Sequence, residues 1–187
     1  MTVKRITAPL TEEAVRDLRA GDAVAISGVV YQARDAAHKK LVALIEAGEA
    51  LPFELEGSVV YYMGPSPAKP GQVIGSAGPT TSGRMDTYAP LLMRQGLKGM
   101  IGKGLRTAEV KQAMQDETAV YFAATGGAGA RLARRIVANE VIAWPELGAE
   151  AVARLEVVEF PAIVVNDCHG ADLYEEGRAG HARSVDR

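Results

Sequence analysis

Three short stretches of this sequence hold side chains that could grip a small anion. The first is Gly78-Pro79-Thr80-Thr81-Ser82-Gly83-Arg84. A Gly-Pro turn delivers two threonines and a serine to what reads as a helix start. Hydroxyls and backbone N–H groups in that place favour anions. Arg84 follows Thr80 by one helical turn, so the two side chains can face one point, and a guanidinium can hold a carboxylate through two parallel bonds. The same residues fit a plainer role, with Thr80 or Thr81 capping the helix and Arg84 in a surface ion pair. The second stretch is Gly102-Lys103-Gly104, a lysine poised where a strand ends, which is where open α/β sheets gather ligands. It lacks the upstream glycine and the following Ser/Thr of a P-loop, and it also reads as a solvated turn lysine. The third is Arg34-Asp35-Ala36-Ala37-His38-Lys39. Arg34 is a candidate second clamp, with Asp35 or His38 orienting it, or with His38 as a general base. The plainer alternative is a charge cluster at a helix start.

Two arginines and a lysine in one pocket suit a small dianion such as a dicarboxylate. That reading gives an anion site, not a reaction. Two other features are weaker. Gly126-Gly127-Ala128-Gly129 invites a dinucleotide reading, but it lacks the full glycine spacing and an acidic ribose partner, and it fits a tight strand-to-helix turn. Cys168 and His169 are neighbours in sequence, poor geometry for a shared metal, and read as a buried thiol and a loop histidine.

These loops need elements to position them. Thr11 predicts a helix N-cap, with Gly21 ending the run. A strand is expected over Asp22–Tyr31, where Gly28 implies a bulge or a close backbone approach. A helix over Arg34–Ala47 stops at Gly48. Strands are expected at Ser58–Met63, Val73–Ala77, Lys98–Ile101 and Ala119–Ala124. Helices are expected from the Arg84 region to about Gln95, over Thr107–Gln115, and from Gly129 to about Val137. Strands at Arg154–Glu159 and Ala162–Val165 close the fold, and the polar tail after Glu175 is expected to fray. The alternation predicts a single α/β layered domain over 1–187, its core at about 8–175, with some antiparallel strands near the end.

Composition narrows the classes. Apolar residues make up 48% and charged residues 24% of the 187 residues, with a net charge of −2. There is no basic block, so nucleic-acid binding is not expected. No apolar run reaches bilayer length, and no secretory leader is evident, so a cytoplasmic protein without membrane attachment is expected. The one cysteine, Cys168, cannot supply the three or four thiolates of an iron–sulfur cluster.

At the same loops the chain resembles class I fumarases, the 4Fe–4S hydro-lyases. Gly75–Asp86 and Gly96–Gly104 look like that family's signature, and Arg34–Lys39 and Glu159–Ala162 match it as well. The likeness covers roughly residues 8–175. It implies the C-terminal domain or β subunit, with a swivelling β/β/α fold. It also implies a cluster-bearing α subunit as partner, an α2β2 heterotetramer, and a 4Fe–4S cluster held by that partner and not by this chain. There a cluster iron would act as Lewis acid on the departing hydroxyl. Carried over residue by residue, Arg34, Arg84 and Lys103 would bind substrate and Thr80 would abstract the proton, giving reversible hydration of fumarate to (S)-malate. A threonine is a weak base and needs support; Asp35 and Asp86 are candidates. The sister family, the L(+)-tartrate dehydratase β subunit, shares Gly-Pro-Thr-Thr-Ser and Gly-Lys-Gly. A stand-alone small-anion-binding domain is the non-enzyme alternative.

Overall fold

A computed structural model describes residues 2–181. Seven strands form one sheet in the order β1-β2-β3-β4-β5-β7-β6, and β2 also pairs with β7. That extra pairing closes β2, β3, β4, β5 and β7 into a five-stranded barrel. The strands are β1 (Lys4–Ala8), β2 (Ala23–Gln32), β3 (Val59–Tyr61), β4 (Gly99–Gly102), β5 (Val120–Ala123), β6 (Ile136–Ala143) and β7 (Val152–Asn166). Pairings from β1 through β5 are parallel. Those made by β7 are antiparallel, as the α/β reading expects.

Side chains alternate across the sheet and divide the core in two. Val59 and Tyr61, Ile101, and Val120 and Phe122 join Ile26, Val30, Leu155, Val157, Phe160 and Val164 in an inner cluster. Val60 and Tyr62, Met100 and Tyr121 face outward. There they meet α2 (Asp35–Ala47), α3 (Ala89–Arg94) and α4 (Ala108–Asp116) through Ala37, Leu41, Leu92, Met93, Val110 and Met114. The period of two is what allows one strand to feed both layers.

Local signals are met at many places. Thr11 caps α1 (Glu12–Asp17), its hydroxyl accepting from the Ala14 N–H. Gly48 closes α2 in the left-handed region. Gly28 has φ of 101° beside a register shift, and a Cβ there would collide with the carbonyl oxygen of Ala8.

Five expectations are corrected. Val73–Ala77 is irregular, because both edges of β3 are already taken by β2 and β4, and Gly75 lies too close to the Pro67 carbonyl for any Cβ, at 2.7 Å. The helix to Gln95 is a 3-10 turn, Ser82–Met85, then a separate α3. The helix expected to reach Val137 is the short α5 (Gly129–Ala133), followed by β6. The two last strands are one, β7, running through Pro161 with Glu159 at φ 48°. The polar end continues as α6 (Leu173–His181), tied down by Lys111 to Asp172 and Glu175 at 2.8 and 2.6 Å; the expectation for 182–187 lies outside the described residues.

Candidate anion site

The loops that follow β2, β3, β4 and β5 all leave the sheet at the C-terminal ends of parallel strands. The segment around Thr80 is stitched onto the extensions of β3 and β4. The Thr80 N–H donates to the Tyr62 carbonyl at 2.8 Å, Lys103 N–H to the Thr80 carbonyl at 3.2 Å, and Ser82 N–H to the Lys103 carbonyl at 2.9 Å. Thr81 and Lys103 pair as an isolated parallel bridge. Two of the sequence-derived loops are therefore one backbone-bonded unit.

The third loop joins through side chains. Arg84 Nη2 donates to Thr80 Oγ1 at 3.0 Å and lies 3.0 Å from Asp35 Oδ2. The same Asp35 oxygen is 3.8 Å from Arg34 Nη2. Arg34 is also paired with Glu150 at 3.2 Å, and the other Glu150 oxygen accepts the Ala36 N–H at 3.0 Å, fixing the first turn of α2. Gly64 leaves room for this: a Cβ there would sit 2.6 Å from Arg34 Nη1 and 2.9 Å from the Ala149 carbonyl. Thr80, Arg84, Asp35 and Arg34 thus form a continuous chain of contacts. Lys103 is exposed, and among the described residues its ammonium has no carboxylate partner. Arg34 and Arg84 meet two carboxylates, Asp35 and Glu150, and Arg84 uses one nitrogen, Nη2, for both of its contacts.

Neither threonine caps a helix. The 3-10 turn begins after Thr81 without a side-chain cap bond, and the Thr80 hydroxyl is taken by Arg84. Asp86 is not near the chain of contacts through Thr80 either. It accepts from Arg106 Nε and from the Thr107 N–H, both at 2.7 Å. Sequence reasoning missed Arg106, Glu150 and Gly64; none stands in a motif.

His38 is fully buried, edge-on to Tyr62 at 5.2 Å, its Nδ1 2.9 Å from the Arg34 carbonyl and its Nε2 without a partner. It supports the backbone of Arg34 and does not reach the opening, so the general-base reading is withdrawn. Burial pushes it down to about 4. Burial also holds the phenols of Tyr62 and Tyr121 above their usual range, keeping both neutral. The unfolded chain binds a proton on His38 near pH 6.5, whereas the folded chain does so only near 4. Stability contributed by the neutral ring is complete above 6.5 and is lost as pH falls toward 4, by roughly 3 kcal/mol at 1.36 kcal/mol per unit. Urea unfolding at pH 7 and pH 4.5 is expected to show this loss, and His38→Phe is expected to flatten it; an unchanged slope in His38→Phe assigns the acid sensitivity elsewhere.

The Thr125–Gly129 turn packs as a wall of the site. The Ala77 N–H donates to the Gly129 carbonyl at 3.1 Å, a Cβ on Gly129 would sit 2.8 Å from the Gly78 nitrogen, and one on Gly126 would sit 3.7 Å from Lys103 Cδ. Its glycines serve close backbone approach, as a tight turn requires. Cys168 is buried beside the Val15 carbonyl at 3.9 Å, and burial raises its thiol.

The family description Fumarase C-terminus matches residues 2–177. The chain belongs to the fumarase C-terminal family. Its relatives include the protein named Fumarate hydratase class I, anaerobic, of Escherichia coli K12, 39% identical over 82% of this chain and 28% of the relative. The putative fumarate hydratase class I of Geobacillus stearothermophilus is 37% identical over 91% of this chain and 33% of the relative. The putative L(+)-tartrate dehydratase subunit beta of Methanocaldococcus jannaschii is 40% identical over 89% of both chains. This fumarase C-terminal chain therefore spans under a third of the Escherichia coli relative and most of the archaeal β subunit. The relatives' names are those of hydro-lyases. No helix among the described residues is long and apolar enough to cross a membrane.

Proposed function

We propose that this chain is the β subunit of a two-subunit 4Fe–4S hydro-lyase that reversibly hydrates fumarate to (S)-malate. The observation that carries the reading is the chain of contacts Thr80–Arg84–Asp35–Arg34, with the Lys103 loop bonded through its backbone to Thr80, at the C-terminal ends of parallel strands. The fold is the swivelling β/β/α type, one domain placed against a cluster-bearing α subunit in a cytoplasmic α2β2 assembly. The archaeal relative, named as a β subunit and matched along most of its length, supports the split arrangement. Residues of this chain do not fit an iron–sulfur cluster: Cys168 is alone and buried, and among the described residues no three His, Cys, Asp or Glu side chains gather to hold a metal. The cluster is assigned to the partner.

The chain's own residues have three tasks. Arg34 and Arg84 grip the substrate carboxylates, displacing their hold on Asp35 in part. Lys103 supplies a further positive charge from the neighbouring loop. Thr80 Oγ1 accepts a hydrogen bond from the Arg84 guanidinium, and that charge favours the alkoxide over the hydroxyl. Thr80 then takes the proton from the carbon beside the carboxylate, and the cations stabilise the negative charge that grows there. Arginine cannot pass a proton on, so Asp35 orients Arg84 and the final acceptor lies outside this chain of contacts.

Tartrate dehydration is the second reading, favoured by the archaeal relative, whose identity of 40% is as high as that of the fumarases. Co-expression with a larger cysteine-bearing subunit, followed by anaerobic assay on malate and tartrate, separates the two. Malate turnover well above tartrate turnover is expected. The reverse ratio assigns the tartrate reaction, and full activity of this chain without any partner overturns the split site.

A further inference from the structure

Beneath the anion site lies a buried ion pair that the mechanism above does not use. Arg106 and Asp86 side chains are 0% and 6% exposed, with Nε and Oδ1 2.7 Å apart. The guanidinium lies over two rings, 5.5 Å from the Tyr62 centroid and 4.9 Å from that of Tyr121. Each member of this cluster holds a different part of the site. Asp86 directly follows the 3-10 turn that carries Arg84, and its second oxygen accepts the Thr107 N–H at 2.7 Å. Arg106 stands three residues after Lys103. The Tyr62 carbonyl receives the Thr80 N–H. The Tyr121 hydroxyl donates to the Gly104 carbonyl at 3.0 Å and is 2.9 Å from Ser82 Oγ, so Ser82 is the donor of that second bond.

A buried ion pair is a poor device for stability alone. Removing two charges from water costs about as much as their attraction returns, and well-packed apolar residues often do as well or better. What apolar residues cannot supply is direction. The carboxylate takes one bond from a side chain on the Lys103 loop and one from the N–H that opens α4, adding a directional tie to the backbone bonds that already join the two loops.

We infer that the buried Asp86–Arg106 pair is a positioning device that holds the turn carrying Arg84 and the loop carrying Lys103 in the relative placement that substrate binding needs. The inference rests on the reading of those two residues as substrate grips. Neither Asp86 nor Arg106 touches substrate; both act through the loops they tie.

The test uses two variants. Asp86→Leu/Arg106→Met replaces the pair with apolar side chains of similar bulk, and Arg106→Lys keeps the charge but loses the planar stack. Each is measured as the free chain by hydrogen exchange over 80–87 and 102–107, and with its co-expressed partner by thermal unfolding and steady-state kinetics on malate and tartrate. The double variant is expected to unfold within a few degrees of wild type, to exchange faster in both segments, and to lose about 10–100-fold in kcat/KM, mostly through KM, the scale for misplaced binding groups. A double variant with native unfolding and kcat/KM within about threefold of wild type overturns the proposal. Should the double variant fail to fold, Arg106→Lys decides by the same threshold. Should the wild-type assembly turn over neither substrate, the functional reading fails, and unchanged exchange in both segments overturns the positioning role by itself.

Discussion

Thr80→Ala is expected to cut turnover by about 10²–10⁴-fold, the range for loss of a positioned proton-transfer group, while leaving stability nearly intact. The structure makes the second half of that expectation firm. A capping threonine would take with it about 1 kcal/mol of helix stability, but Thr80 caps nothing. Its hydroxyl accepts one bond, from an arginine that is half exposed. An exposed bond of that kind contributes about 0.5–1.5 kcal/mol at most. Arg84 keeps its contact with Asp35, 3.0 Å away, when that bond is lost. Thr80→Ser keeps the oxygen and is expected to retain far more activity than the alanine variant. Thermal unfolding and malate turnover of the assembled enzyme read the two effects separately, and exchange of the malate C3 hydrogen with solvent deuterium should fall in step with turnover. If turnover and exchange survive in Thr80→Ala, the proton is taken by the partner subunit.

The parts of this fold that could be read from sequence are those whose cause is local. The helix α2 announces itself by Gly48 and by Leu41, Leu44 and Ile45 on one face, and β3 and β4 by short apolar runs bounded by glycine. What escaped was set by distant pairing. The barrel exists because β2 and β7 pair along nearly their whole length, and a run such as Ala23–Gln32 does not encode its partner. Two strands were expected, Arg154–Glu159 and Ala162–Val165, yet β7 runs through Pro161, with Glu159 left-handed and its N–H donating to Ser27 Oγ at 3.0 Å. The strand β6 was hidden by its mixed burial and by two register shifts against β7, which blur the period of two.

The site shows the same division. Arg84, Lys103 and Thr80 sit in glycine-bounded loops and Arg34 at the start of α2, and those stretches led to them. Their supports do not share that mark. Glu150 reaches Arg34 from a 3-10 segment, Pro145–Glu150, far along the chain. Asp86 lies inside a motif and for that reason looked like a proton relay, but its bonds run down into the core to Arg106. A carboxylate's neighbours in sequence say little about which way its side chain points just after a 3-10 turn, and that direction decides between relay and support.

Arg84→Lys tests whether shape or charge matters at the point where all the contacts meet. A lysine keeps the positive charge, so a site that works by charge alone would lose little. The geometry argues otherwise. One nitrogen of Arg84 serves both Thr80 Oγ1 and Asp35 Oδ2, and the remaining donors of the planar fork are left for a carboxylate. An ammonium has three donors on a single atom and cannot hold Thr80, Asp35 and a two-pronged carboxylate in those directions at once. It is also the more strongly hydrated cation, so drawing it into the cleft is less favourable. The expected loss in kcat/KM corresponds to about 1.5–3 kcal/mol, the scale of a charge-assisted hydrogen bond. It should divide between a raised KM, from the weaker grip, and a lowered kcat, from a Thr80 hydroxyl no longer held beside a guanidinium. Steady-state kinetics on malate with near-wild-type kcat/KM would place Arg84 outside the site, as a surface partner of Asp35.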